Sequence, residues 1–194
     1  GAMSVCGREE QNRAFRPLIP GSHFIRFNNE SDLEHIGSHT AAVILETIQG
    51  GAGFIVPKPG YLKKVRQKCD QVGALLILDE IQTGIGRTGK LFGFMNYQIE
   101  PDILITGKGL GGGMPIGAFI SSRENMALLA DNPKLGHITT FGGHPVISAA
   151  ALATLRELYD SNLMETVASK EKLLRKHLKH KHIVEIRGSG LMLA

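Results

Sequence analysis

Short apolar runs alternate along the chain with segments in which apolar residues recur every three or four positions. The runs have the length and composition of buried strands, and they lie at residues 41–46, 75–79, 102–106 and 116–121. Helical segments separate several of these strands, and strands that are joined through helices pair in parallel. The pattern therefore predicts an α/β fold with a mostly parallel sheet flanked by helices.

The helical segments carry recognisable end signals. Residues 61–72 place apolar side chains at helical spacing, and Gly73 is expected to end that helix. Capping boxes at residues 31–34 and 121–124 predict two further helix starts. The alanine-rich residues 144–159 predict a long helix.

Most of the net charge of +4 comes from one segment, residues 169–182, which holds six Lys or Arg and one Glu. We predict a helix there with Leu173, Leu174 and Leu178 facing inward and the lysines facing solvent. A surface that binds an acidic partner is the alternative interpretation. Because the rest of the chain is close to neutral, we expect no nucleic-acid partner.

A change of character after Asp160 predicts a domain boundary. The basic helix is followed by an apolar run at 183–187, a turn at 188–190 and a second apolar run from residue 191. We therefore assign residues 1–160 to one domain and residues 161–194 to the start of another. Because the chain stops inside an apolar run, we expect it to be a fragment of a longer protein.

The composition is that of an ordinary globular protein, with 42% hydrophobic and 21% charged residues. The longest apolar runs hold about five residues, whereas a membrane helix needs roughly 20. The two cysteines, Cys6 and Cys69, lack metal-type spacing, and no secretory signal pattern is visible. These observations predict reduced thiols, no metal site, no membrane segment and a cytoplasmic location.

A glycine-rich segment resembles two phosphate-binding patterns without satisfying either. As a dinucleotide fingerprint, Gly84, Gly86 and Gly89 should follow a strand directly, yet four residues intervene. As a P-loop, Gly84, Gly89 and Lys90 are correctly spaced, but Leu91 replaces the hydroxyl residue that holds magnesium. A surface turn is therefore the favoured interpretation.

A carboxylate and an amine are predicted to meet at one edge of the sheet. Asp79 ends the strand at 75–79, and Lys108 follows the strand at 102–106 and enters a run of glycines. This pair suits pyridoxal 5'-phosphate, because a lysine can attach to the cofactor while an aspartate keeps its ring nitrogen protonated. A salt bridge between Asp79 and Lys108 that only joins two strands explains the same spacing.

Three long motifs, at residues 76–92, 101–117 and 139–145, resemble the class III aminotransferases, and the acetylornithine and ornithine group is the most similar. The motifs occur in the family's order, and the resemblance extends from about residue 15 to residue 194. It implies the large domain of a fold type I aminotransferase, followed by the start of a small α+β C-terminal domain. It also implies pyridoxal 5'-phosphate as the cofactor and a homodimer with shared active sites.

The resemblance assigns roles to individual residues. Lys108 would hold the cofactor and move a proton, and Asp79 would bind the ring nitrogen. Four other residues would surround the cofactor or the substrate: Ile81 on a ring face, Gln82 beside the phenolic oxygen, Thr140 at the phosphate of the neighbouring subunit's cofactor, and Glu46 in the polar network near the substrate.

The implied reaction is transamination from an amino donor similar to acetylornithine or ornithine to a 2-oxo acid, expected to be 2-oxoglutarate. Gly51 stands where the family usually has a glutamate that holds a substrate-gating arginine, and Thr47 replaces a common proline. With Gly51 we expect α-carboxylate or acylated donors to be preferred over free ω-amino donors. A non-catalytic relative that binds a partner is the alternative, and the presence of both Asp79 and Lys108 disfavours it. The family's phosphate loop is missing, so the fragment alone is expected to be inactive.

Overall fold

The computed structural model describes residues 1–7, 9–131, 134 and 136–194. Four strands form one sheet: β1 (Ala42–Glu46), β2 (Leu75–Asp79), β3 (Ile103–Gly107) and β4 (Gly117–Ser121). The strands lie in chain order; β1, β2 and β3 are parallel, and β4 is antiparallel to β3. The predicted α/β fold with a mostly parallel sheet is therefore confirmed.

The described residues also form five α-helices: α1 (Glu9–Asn12), α2 (Tyr61–Val72), α3 (Arg123–Asp131), α4 (Pro145–Asp160) and α5 (Val167–His177). Helix α2 ends as predicted, because Gly73 takes a left-handed conformation with φ 75° and donates its N–H to the helix. None of these helices is both long enough and apolar enough to cross a bilayer.

The main core lies between α2 and one face of the sheet. Side chains of α2 at helical spacing are buried against Leu76 and Leu78 of β2, which are fully buried. Burying a leucine stabilises the fold by about 1.5–3 kcal/mol. Because side chains alternate along a strand, Leu75, Ile77 and Asp79 lie on the opposite face of β2.

Both predicted capping boxes are wrong in their details. The first segment forms a 3-10 helix at Glu30–His35 without a side-chain cap, because the Ser31 hydroxyl bonds to a preceding side chain. At the second, the cap of α3 is Ser122, whose Oγ accepts the N–H of Asn125 at 3.2 Å. Ser121 ends β4 and donates its hydroxyl to the backbone carbonyl of Asp102, the residue before β3, at 2.7 Å.

The inward face predicted for the basic helix is also wrong. Helix α5 buries Val167 and half-buries Glu171 and Arg175, whereas the three predicted core leucines are 42–57% exposed: Leu173, Leu174 and Leu178. The buried face of α5 binds a hairpin through polar groups. Glu171 accepts the N–H of Gly190 at 2.7 Å, and Arg175 donates to the carbonyls of Ile186 and Gly188 at 2.9 Å.

The hairpin consists of β5 (Gly188–Ser189) and β6 (Met192–Leu193). The predicted turn at 188–190 is therefore shifted, since two of its residues belong to β5. The hairpin packs on the glycine-rich segment, where Leu191 donates its N–H to the carbonyl of Arg87 at 3.0 Å. Residues 161–194 thus contact the sheet domain directly, and the boundary at residue 160 remains a prediction.

Candidate active site

Three parallel strands bring the predicted catalytic residues to one edge of the sheet. Glu46 ends β1 and Asp79 ends β2, and the two residues pair side by side in the register of these strands. Strand β3 ends at Gly107, and Lys108 follows immediately. The carboxyl edge of an α/β sheet is where ligands bind, so this placement agrees with the sequence analysis.

Lys108 adopts an unusual backbone conformation. Its φ is 44°, in the left-handed region, and it begins a 3-10 helix at Lys108–Gly111. Such a conformation costs a non-glycine residue about 1–2 kcal/mol, and residues of this kind cluster at active sites. A side chain at the neighbouring Gly107 would be crowded, because an added Cβ would lie 3.0 Å from the carbonyl oxygen of Ile116.

Asp79 presents a carboxylate that is only partly engaged. Its Oδ1 accepts the N–H of Ile81 at 3.0 Å, which fixes the orientation of the group. Among the described residues, none donates a hydrogen bond to its second oxygen. Asp79 and Lys108, both described, do not form an ion pair with each other. The alternative of a strand-joining salt bridge is therefore not observed.

Glu46 and Gln82 meet around a glycine. Gly50 donates its N–H to Glu46 Oε2 at 2.8 Å. An added Cβ on Gly50 would lie 2.1 Å from Gln82 Oε1 and 3.1 Å from Glu46 Oε2. The Gln82 amide therefore lies directly against the Gly50 backbone, and any side chain at position 50 would displace it.

A carboxylate that the sequence analysis missed lies beneath the site. Glu80 is fully buried, and each of its oxygens accepts one hydroxyl and one backbone N–H. Its Oε1 binds the Thr47 hydroxyl at 2.5 Å and the N–H of Phe94 at 2.7 Å. Its Oε2 binds the Thr83 hydroxyl at 2.5 Å and the N–H of Gly93 at 2.7 Å. Among the described residues, no cation is paired with it.

The position of Glu80 had a weak signal in the sequence. Since side chains alternate along a strand, the residue after Asp79 must point to the face opposite Asp79, where the core lies. A carboxylate on that face needs several donors, and none of its donors can be identified from the sequence pattern. Burial and, secondarily, the charge of Glu80 raise the pKa of Tyr97 nearby.

The other predicted cofactor residues are placed differently. Ile81 lies beside the lysine strand, with its Cγ2 3.7 Å from a Cβ built on Gly107. Thr140 is exposed on a segment that also exposes Ile138 at 73% and Phe141 at 76%, and it makes no hydrogen bond to the site residues described above. Its predicted role concerns a neighbouring subunit and stays a prediction.

The glycine-rich segment forms a turn, as favoured by the sequence analysis. Ile85, Gly86 and Gly89 all have positive φ, between 56° and 87°, and no α-helix begins there. Both phosphate-binding patterns require a helix whose N-terminus receives the phosphate. The dinucleotide and P-loop interpretations are therefore excluded.

Comparison with known proteins identifies the class. The family model described as Aminotransferase class-III matches residues 1–194, so the chain belongs to the class III aminotransferases. Its relatives include the putrescine aminotransferase of Pectobacterium atrosepticum. The two are 46% identical over an aligned length of 208 residues, which covers 100% of this chain and 44% of that protein. The chain therefore spans less than half the length of this relative.

Solved structures agree with the family. The ornithine aminotransferase of Toxoplasma gondii, whose structure shows partial occupancy of pyridoxal phosphate at its active site, has a TM-score of 0.88 and 37% identity over 99% of this chain and 46% of its own. The N-acetylornithine aminotransferase of Stenotrophomonas maltophilia K279a has a TM-score of 0.76 and 39% identity over 88% of this chain and 45% of its own. The predicted family, the fold type I architecture and the family's cofactor, pyridoxal 5'-phosphate, are confirmed.

The residues present fit that cofactor. Asp79 keeps one carboxylate oxygen without a donor among the described residues, which suits a protonated ring nitrogen. Lys108 has an exposed side chain and makes no ion pair or hydrogen bond among them, which suits attachment to the cofactor.

Proposed function

We propose that the complete enzyme containing this chain transfers an amino group from a donor with a terminal amine to a 2-oxo acid, with 2-oxoglutarate as the acceptor. The single observation that carries the proposal is the placement of Lys108, with its strained backbone, at the same sheet edge as the partly engaged Asp79. Family membership supports it, and the relatives are named for donors that share a terminal amine on a short carbon chain.

Each residue has a distinct task in this proposal. When bound, pyridoxal phosphate supplies an electron sink for the electrons released at the donor's reacting carbon. The open oxygen of Asp79 holds the proton on the ring nitrogen, which maintains that capacity. The Lys108 amine fixes the cofactor and, once freed, moves the proton between donor and cofactor as a general acid and base.

Three further residues position the ring and the substrate. Ile81 packs on a face of the ring, and the Gln82 amide binds its phenolic oxygen. Glu46 joins the polar network near the substrate. The close contact of Gly50 with both polar side chains supports this grouping.

The active enzyme is proposed to be a homodimer in which Thr140 reaches the cofactor phosphate of the neighbouring subunit. The exposure of Thr140 together with Ile138 and Phe141 supports the proposal, because large apolar side chains on a protein surface mark sites of association. Sedimentation of the complete enzyme, with Phe141→Asp as the disrupting variant, tests this assembly. A wild-type monomer with full activity would exclude it.

For the donor, we propose that Gly51 favours amines that also carry an α-carboxylate or an acylated α-amine. A glycine offers no carboxylate to hold a gating arginine aside, so the arginine would stay available to bind a substrate carboxylate. The assay compares kcat/KM for acetylornithine, ornithine, putrescine and 4-aminobutyrate in the wild type and in Gly51→Glu. A preference of tenfold or more for putrescine or 4-aminobutyrate in the wild type would show that this role of Gly51 is wrong.

The central experiment replaces the proposed cofactor lysine in the complete enzyme. Lys108→Ala should abolish the visible absorption of the bound cofactor and lower transamination by at least about 10³-fold, because it removes both the attachment and the general base. Lys90→Ala is the matched control, since Lys90 is an exposed lysine on the glycine-rich turn. Normal turnover by Lys108→Ala would refute the assignment.

A further inference from the structure

We propose that Thr47 and Glu80 form a buried positioning pair, which fixes the loop that follows Glu46 against the loop that follows Asp79. Thr47 directly follows Glu46, and Glu80 directly follows Asp79. The inference rests on the aminotransferase function proposed above, because only that function gives Glu46 and Asp79 their tasks.

The Thr47 bond differs from the other three bonds to Glu80 in what it connects. Thr83, Gly93 and Phe94 all belong to the connection between β2 and β3, as does Glu80 itself. Thr47 instead belongs to the connection between β1 and α2. Its hydroxyl is therefore the one bond of the four that crosses between the two loops of the site.

The two loops also meet at Gly50. Glu46 accepts the N–H of Gly50, and the Gln82 amide lies against the Gly50 backbone. The backbone of Glu80 remains paired with β3, since its N–H donates to the carbonyl of Ile105 at 2.8 Å. Glu80 is thus anchored to the sheet, and its bond from the Thr47 hydroxyl holds the loop that follows Glu46 in place.

The burial of the pair makes this bond costly to break. Thr47, Glu80 and Thr83 are all buried, so water cannot replace a lost donor without entering the core. Because Thr47 supplies the bond that crosses between the two loops, it is the residue to test.

The test compares three variants of the complete enzyme. Thr47→Val removes the crossing hydroxyl at nearly constant shape, and Thr47→Ser retains it. Thr83→Val is the matched control, because it removes the other 2.5 Å hydroxyl bond to Glu80 but leaves the two loops joined. We expect Thr47→Val to lower kcat/KM about tenfold or more through misplacement of the site residues, Thr47→Ser to stay within about twofold of wild type, and Thr83→Val to lose clearly less than Thr47→Val.

Two readouts besides turnover separate positioning from general stability. The pH midpoint of the cofactor's absorption should shift in Thr47→Val and stay unchanged in Thr47→Ser. Amide hydrogen exchange of the apoenzyme should increase at residues 48–55 in Thr47→Val and not in Thr83→Val. If Thr47→Val lowers only the melting temperature, or if Thr83→Val impairs turnover equally, the positioning role is overturned. A wild type without transamination would instead refute the proposed function, and the exchange data would still decide whether the crossing bond exists.

Discussion

Alanine at Gly50 gives a sharp test of the site, because the added methyl group would meet a proposed cofactor ligand before it met anything else. The Cβ would lie 2.1 Å from Gln82 Oε1, 2.9 Å from Gln82 Cδ and 3.1 Å from Glu46 Oε2. An ordinary van der Waals contact of a Cβ lies at 3.4–4 Å, so the Gln82 amide must move by more than about 1 Å.

The structure predicts a small loss of stability and a large loss of activity from this change. The obstructed atoms are the far end of a flexible side chain, and an off-rotamer glutamine costs only about 0.5–1.5 kcal/mol. A displacement of about 1 Å in a positioning group, however, can reduce turnover about 100-fold. We therefore expect Gly50→Ala to lower kcat/KM of the complete enzyme by about 10–100-fold, which corresponds to roughly 1.4–2.7 kcal/mol.

Steady-state kinetics and thermal unfolding of the wild type and four variants measure this effect. Gly37→Ala is the control, because a Cβ at Gly37 meets nothing within 4 Å. The double variant Gly50→Ala/Gln82→Ala should lose much less, relative to Gln82→Ala alone, than Gly50→Ala loses relative to wild type. Turnover of Gly50→Ala within twofold of wild type, or an undiminished loss in the Gln82→Ala background, would refute the reasoning.

Three further predictions concern stability and reactivity. Burial raises the pKa of Cys69 to about 11, so a thiol reagent at pH 8 should label exposed Cys6 in the native protein and Cys69 only after unfolding; rapid labelling of both would contradict this. The Arg26 guanidinium lowers the pKa of Asp32, so melting curves should show a deficit for Asp32→Asn at pH 7 that shrinks as the pH falls below about 4; a constant deficit would argue against the pair. Leu76→Ala should cost about 2–5 kcal/mol in denaturant unfolding, and a cost below 1 kcal/mol would place Leu76 outside the core.

Elements with strong local signals could be predicted from the sequence almost to the residue. Helix α2 and strand β2 match their predicted bounds, because helical spacing, Gly73 and a buried apolar run are all local features. Strand β3 begins one residue later than predicted, because the Asp102 carboxylate accepts the N–H of Leu76 at 2.7 Å. The Asp102 side chain thus takes part in the pairing between β2 and the start of β3.

Features that depend on distant partners could not be predicted. The leucines of α5 have the spacing of a core face, yet the neighbouring hairpin offers backbone groups, which Glu171 and Arg175 bind. The donors to Glu80 come from positions 33 residues before it and up to 14 residues after it, and no local pattern connects them. The placement of Glu46, Asp79 and Lys108 at one edge could be anticipated, because parallel strands align their ends.

The adjacent carboxylates of Asp79 and Glu80 lead to opposite expectations for two similar substitutions. Asp79→Asn keeps the acceptor for the Ile81 N–H, so the fold should remain while the protonated ring nitrogen loses its partner. In Glu80→Gln, each oxygen position already faces a backbone N–H, so the new amide NH₂ must face a donor in either orientation.

That conflict within the core should destabilise Glu80→Gln by about 1–3 kcal/mol, whereas Asp79→Asn should melt close to wild type and lose most transamination. Thermal unfolding and kcat/KM, measured on both variants of the complete enzyme, separate the two tasks. Equal melting temperatures would mean that Glu80 does not anchor the site, and full activity of Asp79→Asn would remove Asp79 from the cofactor. The two results are independent because alternation at the end of β2 directs the side chains to opposite faces of the sheet, one toward the cofactor and one into the core.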